Sequence, residues 1–219
     1  MTLSVNNLAI QLGDTSLFSP VSFDVCPGEV FSLMGPSGCG KSTLLSAIAG
    51  HLVNDFSLSG DVTLNERSVI ALAPDQRKIG LLFQDDLLFP HLSVLENLMF
   101  GIPRHYRGEK RVKRAESTLA TLGLSQLANK QPSEISGGQR ARISLMRMLL
   151  SEPQAVLLDE PFSKLDKALR NEFRQFVFDQ INNRQIPTIM VTHDRDDIPL
   201  HGRVLDWPWT NAVQEQQAC

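Results

Sequence analysis

The chain has 219 residues, of which 42% are hydrophobic and 21% charged, an ordinary globular composition that can bury a substantial core. The formal net charge of −3 argues against a nucleic-acid-binding surface, so we expect no nucleic-acid partner. A chain of this length is expected to form one domain, with or without an inserted lobe.

The sequence pattern also argues against a membrane-embedded or secreted protein. No apolar run approaches the ~20 residues that a membrane span requires. The first residues, MTLSVNNLAIQLGD, lack the basic start of a secretory signal. Cys26, Cys39 and Cys219 are an odd number at unrelated spacings, which suggests a reducing compartment. We therefore expect a cytoplasmic protein that is held at a membrane only through partners.

Two kinds of strand pattern occur along the chain. LSVNNLAIQL and VSFDV alternate partially, as antiparallel strands do, and DVTLNERSVIAL indicates a hairpin with its turn near Asn65. EVFSLMG, AVLLDE and TIMVTHD are almost continuously apolar, which is typical of strands covered on both faces. Buried strands separated by helices predict an α/β fold with a mainly parallel sheet and an N-terminal antiparallel part.

Helices are predicted for most of residues 87–153. Ser93 and Glu96 have the spacing of a capping box, and a later helix is expected to end at Gly123. A basic run in that later helix predicts a solvated face; it consists of Lys110, Arg111, Lys113 and Arg114. After Asp166, apolar residues recur at every fourth position, as in an amphipathic helix.

We therefore expect a single domain over residues 1–219. Its core lobe would comprise residues 1–86 and 154–219, and the inserted helical lobe residues 87–153.

A phosphate-binding loop is the most specific motif of the sequence. GPSGCGKST matches G-x-x-x-x-G-K-[ST] between a buried strand and a helix. Glycines let the backbone wrap closely around a phosphate, so that N–H groups point inward. Lys41 is expected to reach the β- and γ-phosphates, and the Ser42 hydroxyl to ligate Mg²⁺. The predicted nucleotide-binding residues are Gly35, Pro36, Ser37, Gly38, Cys39, Gly40, Lys41, Ser42 and Thr43.

Two adjacent acids end the buried strand AVLLDE. A carboxylate at the end of a buried parallel strand lies at the sheet edge where ligands bind. We predict Asp159 as a ligand of Mg²⁺ and Glu160 as the general base that aligns a water molecule on the γ-phosphate. By themselves such acids can be surface charges, but the phosphate loop makes the catalytic interpretation the stronger one.

A second helix start, SEISGGQRARISL, also suits an anion. Its first turn offers unpaired backbone N–H groups and the positive end of the helix dipole. The sequence thus contains two candidate phosphate-binding helix starts about a hundred residues apart.

Together with LLFQDD, FSKLD and VTHD, these motifs closely resemble those of the ATP-binding cassette (ABC) ATPases over essentially the whole chain. The resemblance implies a P-loop NTPase (RecA-like) core and hydrolysis of ATP with Mg²⁺. It further implies that Gln84 contacts the metal and the attacking water, and that His193 hydrogen-bonds the γ-phosphate.

The resemblance also explains the second helix start. In this family two subunits pack head to tail, and each ATP lies between the phosphate loop of one and the signature helix of the other. A second copy of the chain is therefore an expected partner, and Asp166 is expected to contact the opposite phosphate loop. The signature residues expected to contact the partner's nucleotide are Ser136, Gly137, Gly138 and Gln139.

The stretch DDLLFPHLSVLENLMFGI resembles importer-type subunits that serve sugars, polyamines, sulfate, iron or thiamine. This implies docking of integral membrane permease subunits near residues 84–98, and indirectly a substrate-binding protein. The residues that would line the groove, or would equally well be core, are Leu88, Phe89, Leu92, Val94 and Leu98. Only a short segment follows His193, so we expect no C-terminal regulatory domain.

Other functions remain open at this point. An ABC ATPase of an export, lipoprotein-release or cell-division complex is the nearest alternative. A nucleotide-binding subunit without turnover is disfavoured by Glu160 and His193. A GTP switch is disfavoured because NKQP, at residues 129–132, lacks the Asp of a guanine-reading N-K-x-D.

Four residues depart from the family pattern. Leu12 stands where an aromatic residue usually stacks on adenine, with Phe18 nearby as a possible core residue. Lys164 occupies a position that is more often small. Trp207 and Trp209 have no counterpart to which a role can be assigned.

Overall fold

The computed structural model describes residues 1–209; Cys219 lies outside the described residues. An antiparallel sheet is built around strand β1, which pairs with β2, β3 and β5, and β5 in turn pairs with β6. Asn65 and Glu66 form the β5–β6 turn with φ values of 52° and 65°, as a two-residue hairpin requires. The predicted hairpin is confirmed. The strands are β1 (Leu3–Leu12), β2 (Thr15–Ser16), β3 (Val21–Val25), β5 (Phe56–Leu64) and β6 (Arg67–Ser68).

A second sheet is entirely parallel and has the strand order β10-β4-β9-β8-β7. Every residue of β4 and β9 is buried, and in β8 only the terminal Asp159 is partly exposed. This confirms the α/β fold predicted from the three apolar segments. The strands are β4 (Val30–Met34), β7 (Ile79–Leu82), β8 (Ala155–Asp159), β9 (Thr188–Thr192) and β10 (Val204–Leu205).

Five α-helices complete the described part of the chain. Helices α2, α3 and α4 all lie between β7 and β8, where the sequence predicts a helical segment. Both reciprocal bonds of the predicted capping box are present at the start of α2, and Gly123 follows α3 with φ +68°. The helices are α1 (Lys41–Ala49), α2 (Val94–Gly101), α3 (Glu109–Thr121), α4 (Gly137–Leu149) and α5 (Lys167–Arg184).

Alternate residues of the parallel strands enter two different hydrophobic clusters. In β8, Ala155 and Leu157 pack with α1 and the antiparallel sheet, whereas Val156 and Leu158 pack with α2 to α5. This is the side-chain alternation of a strand covered on both faces. The sheet is therefore a rigid support for the loops at its carboxyl edge. Among residues 1–209, no helix combines the length and the apolar character that a membrane span needs.

The basic run in α3 is not a uniformly solvated face. Lys110 and Lys113 are exposed, as predicted. Arg111 instead donates hydrogen bonds to carbonyl groups at the end of α2, and Arg114 forms an ion pair with Glu152 (2.6 Å). For the two arginines the prediction is wrong, because tertiary contacts give their guanidinium groups acceptors that the sequence does not reveal.

The sequence alone did not decide whether five apolar residues line a docking groove or belong to the core. Three of them belong to the core. Leu88, Val94 and Leu98 are at most 8% exposed and pack in the cluster formed by α2 to α5. Between residues 84 and 101, the large apolar side chains that are exposed are instead those of Leu87 (53%) and Phe100 (62%).

Candidate active site

The phosphate loop connects the end of β4 to the start of α1. Gly38 and Gly40 have φ values of +82° and +97°, which disfavour any residue with a Cβ. A side chain at Gly35 would meet Cys39 Sγ at 2.7 Å. Gly40 is the N-cap of α1 and provides no side-chain hydrogen bond, so the first N–H groups of this helix are not capped by it. A helix start of this kind is suited to a phosphate.

Lys41 is folded back over this loop. Its side chain is only 5% exposed, and Nζ donates to the carbonyl oxygens of Gly35 (2.8 Å) and Pro36 (2.9 Å). The same ammonium lies 3.8 Å from Glu160 Oε1. A phosphate oxygen is a stronger, charged acceptor than these carbonyls. The lysine is therefore already held where a nucleotide phosphate would attract it.

The two predicted Mg²⁺ ligands of the loop and the strand end are in contact. Ser42 Oγ donates to Asp159 Oδ1 at 3.0 Å. Burial raises the pKa of the Asp159 carboxyl, an effect that the Ser42 hydrogen bond opposes and the neighbouring Glu160 charge reinforces. Hydroxyl and carboxylate oxygens are the donors that Mg²⁺ prefers, and a bound cation favours the ionised carboxylate. These residues fit a magnesium ion.

Glu160 lies between two other predicted catalytic side chains, those of Lys41 and His193. Its Oε1 is 3.2 Å from His193 Nδ1 and 3.8 Å from Lys41 Nζ. Its backbone N–H donates to Val191 O (3.0 Å), and its φ is +45°, an uncommon value for a residue with a side chain. The strand end thus holds the carboxylate between a cation and an imidazole.

The loop that carries His193 is held to α5 by a partly buried charge cluster. Arg170 donates to both oxygens of Asp197 (2.8 and 2.6 Å) and lies 2.8 Å from Asp194 Oδ2. Asp197 is 2% exposed and also accepts from Thr192 Oγ1 (3.0 Å). The pKa of Asp194 is lowered, mainly by the backbone N–H of Asp196 and further by Arg170.

Sequence reasoning missed this cluster. Its only sequence signal is an arginine in the first turn of α5 together with the acids that follow His193.

Gln84 does not contact the predicted metal ligands. Its Nε2 donates to Ser163 Oγ (3.1 Å), and Ser163 Oγ donates to the carbonyl oxygen of Glu160 (2.9 Å). A second contact between the same two segments is the ion pair of Lys164 with Asp85. The segment that begins at Gln84 is thus connected to the strand end that carries Asp159 and Glu160.

The same segment is also fastened to the signature helix. Asp86 Oδ2 accepts from Arg140 Nε (2.8 Å), and its carbonyl oxygen accepts from Ser144 Oγ (2.6 Å). Both donors lie on α4. Residues 84–86 therefore connect the segment that follows β8 to α4.

The signature helix begins with a complete capping box. Ser136 Oγ accepts from the backbone N–H of Gln139 (3.3 Å), and Gln139 Oε1 accepts from the backbone N–H of Ser136 (2.9 Å). Gly137 and Gly138 occupy the first turn. Within residues 1–209, no hydrogen bond or ion pair joins this helix start to the phosphate loop.

Asp166 caps its own helix. Its Oδ1 accepts from the backbone N–H groups of Ala168 and Leu169, each at 3.1 Å. The resemblance to the ABC ATPases implies that Asp166 contacts the phosphate loop of a second copy, and this stays a prediction.

The position predicted for adenine stacking has no aromatic side chain in the described structure. Leu12 ends β1 and is 47% exposed. Phe18 is 5% exposed and packs edge-to-face on Trp209, so it is a core residue.

Together, the glycine-rich loop at the start of α1 and the acids at the end of β8 define a P-loop NTPase site at the carboxyl edge of a parallel sheet. The chain belongs to the ABC transporter family, whose model matches residues 18–163.

Three relatives illustrate the likeness. The uncharacterized ABC transporter ATP-binding protein YnjD of Escherichia coli is 46% identical over 204 residues, which cover 93% of this chain and 94% of YnjD. The thiamine import ATP-binding protein ThiQ of Aliivibrio fischeri is 42% identical, covering 84% of this chain and 77% of ThiQ. The sulfate/thiosulfate import ATP-binding protein CysA of Burkholderia mallei is also 42% identical, over 90% of this chain but only 57% of CysA.

Proposed function

We propose that this chain binds and hydrolyses ATP to energise a membrane ABC transporter that imports its substrate. The observation that carries the ATPase part is the contact of Glu160 with both Lys41 and His193 beside the Ser42–Asp159 pair. Import is supported by the likeness to relatives named as thiamine and sulfate/thiosulfate import proteins.

Each side chain has a distinct task in the proposed reaction. Ser42 and Asp159 would hold Mg²⁺, and bound Mg²⁺ supplies neutralisation of phosphate charge. Lys41 stabilises the charge on the γ-phosphate oxygens. Glu160 aligns the attacking water molecule and accepts a proton from it. His193 orients both Glu160 and the γ-phosphate. Gln84 signals occupancy of the site to α4 through residues 84–86.

A second copy of the chain would complete each site. The start of α4 offers the N–H groups of Gly137 and Gly138, and it forms no hydrogen bond or ion pair with the phosphate loop of its own chain in the described structure. A head-to-tail dimer would bring this start, with Ser136 and Gln139, to the γ-phosphate held by the other copy. Asp166 would then lie close to the opposite phosphate loop.

Permease subunits would dock beside residues 84–98. Leu87 and Phe100 expose apolar surface there, and Phe89 packs edge-to-face on Phe100 with ring centroids 4.6 Å apart. Exposed apolar groups gathered in one region are typical of an interaction site. Docking there would place the chain on the cytoplasmic face of the membrane, with a substrate-binding protein as an indirect partner.

Two matched surface variants test the docking. Leu87→Glu should leave ATP hydrolysis intact but shift the protein from the membrane fraction to the supernatant in cells that contain the transporter. Val53→Glu is the control, because Val53 is also an exposed apolar residue (63%) but lies between α1 and β5. Equal membrane association of the two variants would contradict docking at this surface.

A further inference from the structure

The only two tryptophans of the chain both lie behind the phosphate loop. Strand β10 runs parallel to β4, with Leu205 opposite Leu33. The chain then continues along the end of the strand that carries the loop. Trp207 and Trp209, which the ATPase chemistry does not use, therefore pack against the residues that begin the loop.

Trp209 holds the end of β4 by a specific hydrogen bond. Its indole Nε1 donates to the carbonyl oxygen of Met34 at 2.9 Å, and the side chain is only 1% exposed. Met34 directly precedes Gly35, the first residue of the loop. An indole has a single donor and no acceptor, so this bond uses its whole polar capacity in a buried place.

Trp209 is also the centre of an aromatic cluster that reaches both ends of the loop. Its ring packs edge-to-face on Trp207 (5.0 Å between centroids) and on Phe18 (5.3 Å). A side chain at Gly35 would meet Trp207 Cβ at 3.2 Å, and one at Gly40 would meet the Phe18 ring at 3.2 Å. The cluster therefore backs the first glycine of the loop and the glycine that caps α1.

A glycine-rich loop needs such support. Glycine loses more conformational freedom on ordering than any other residue, and binding a ligand to a loop that is not yet ordered loses affinity. We propose that Trp209 is a positioning residue: it holds the phosphate loop in its nucleotide-binding conformation, and so sets the affinity for nucleotide rather than the rate of hydrolysis. This proposal rests on nucleotide binding by the loop and is independent of the transporter that the chain serves.

The variant Trp209→Phe tests the role, because it keeps an aromatic ring and removes the N–H donor. Loss of one hydrogen bond should raise the Kd for Mg·ADP and the KM for ATP by roughly 2- to 10-fold, with kcat unchanged. The control is Phe23→Leu, which alters a buried aromatic residue that stacks on Phe31 in the same core. It should lower the Tm without changing the Kd. Calorimetric titration and thermal unfolding give the two quantities.

Fluorescence gives a second reading in a variant that keeps Trp209. In Trp207→Phe the only indole is that of Trp209, and Mg·ADP should change its emission with the half-point found by calorimetry. An unchanged Kd in Trp209→Phe, an equal affinity loss in Phe23→Leu, or an emission that does not respond to bound Mg·ADP would overturn the proposal. Failure of the unaltered chain to bind Mg·ADP would instead contradict the nucleotide site itself.

Discussion

The two glycine-rich helix starts of this chain differ in what surrounds them. At the start of α1, Lys41 and Ser42 already contact Glu160 and Asp159 at the end of β8. At the start of α4, the side chains of Ser136 and Gln139 form hydrogen bonds, among the described residues, only with each other's backbone N–H groups. In the described structure the first start lies beside the predicted catalytic acids, and the second forms no hydrogen bond or ion pair with the phosphate loop. Under the proposed function, a single copy therefore holds the catalytic side chains, and a second copy supplies the other contact to the phosphate.

The largest expected effect concerns the phosphate loop and the acids beside it. Glu160→Gln removes the proposed general base, so turnover should fall by roughly 10²–10⁴-fold while ATP binding is kept. Release of phosphate and calorimetric binding measure the two properties. The control is Glu152→Gln, which alters a glutamate that pairs with Arg114 away from the site and should keep full turnover. Full activity of Glu160→Gln would refute the role of this carboxylate.

The next largest effect concerns the start of α4. Asp and Asn are both good N-cap residues, so Ser136→Asp and Ser136→Asn should both preserve the start of α4. Only the aspartate adds a negative charge where the γ-phosphate of the other copy is expected, and repulsion there should cost roughly 10- to 100-fold in turnover. Steady-state hydrolysis compares the two variants at equal Tm. Equal turnover would show that no phosphate approaches this helix start.

A smaller effect is expected where α5 supports the loop of His193, the predicted catalytic histidine. Arg170→Lys keeps the charge but loses the two-point contact with Asp197, so kcat should fall by about 3- to 10-fold with little change in KM. Arg174→Lys is the matched control, because Arg174 lies one turn further along α5 and 4.0 Å from the same carboxylate. A loss of equal size in both variants would indicate a general rather than a positional effect.

The smallest expected effect is on stability. Burial raises the pKa of Asp159 in the folded state, so the folded chain binds this proton more tightly than the unfolded chain does. The stability gained from that proton is fully present below the ordinary Asp pKa of about 3.9, and it is lost as the pH rises through the pKa of the folded state. Asp159→Asn should therefore raise the Tm of the nucleotide-free protein at pH 7 by about 1–3 °C. The gain should shrink toward pH 4. A gain that does not depend on pH would contradict this explanation.

Local patterns explain why much of the fold and the site could be predicted. The almost continuously apolar run Val30–Met34 is typical of a strand covered on both faces, and the Ser93–Glu96 spacing is typical of a helix start. Asp159 and Glu160 follow from the rule that parallel strands end at one edge of the sheet.

Other features depend on contacts between distant segments. The bond from Trp209 to Met34 joins residues 175 positions apart, and the hydrogen bonds of Arg111 depend on where α2 ends. Leu88 and Phe100 are both apolar residues of one segment, yet the first is core and the second exposed. Hydrophobicity alone does not distinguish a core residue from a docking surface.

The most direct test of the shared site is the oligomeric state of the Glu160→Gln chain, measured by sedimentation with and without Mg·ATP. We predict a monomer without nucleotide and a dimer with Mg·ATP, and we predict that adding Ser136→Asp, but not Ser136→Asn, prevents the dimer while ATP binding persists. A chain that remains monomeric with ATP bound, or that dimerises equally well with aspartate at position 136, would contradict the account.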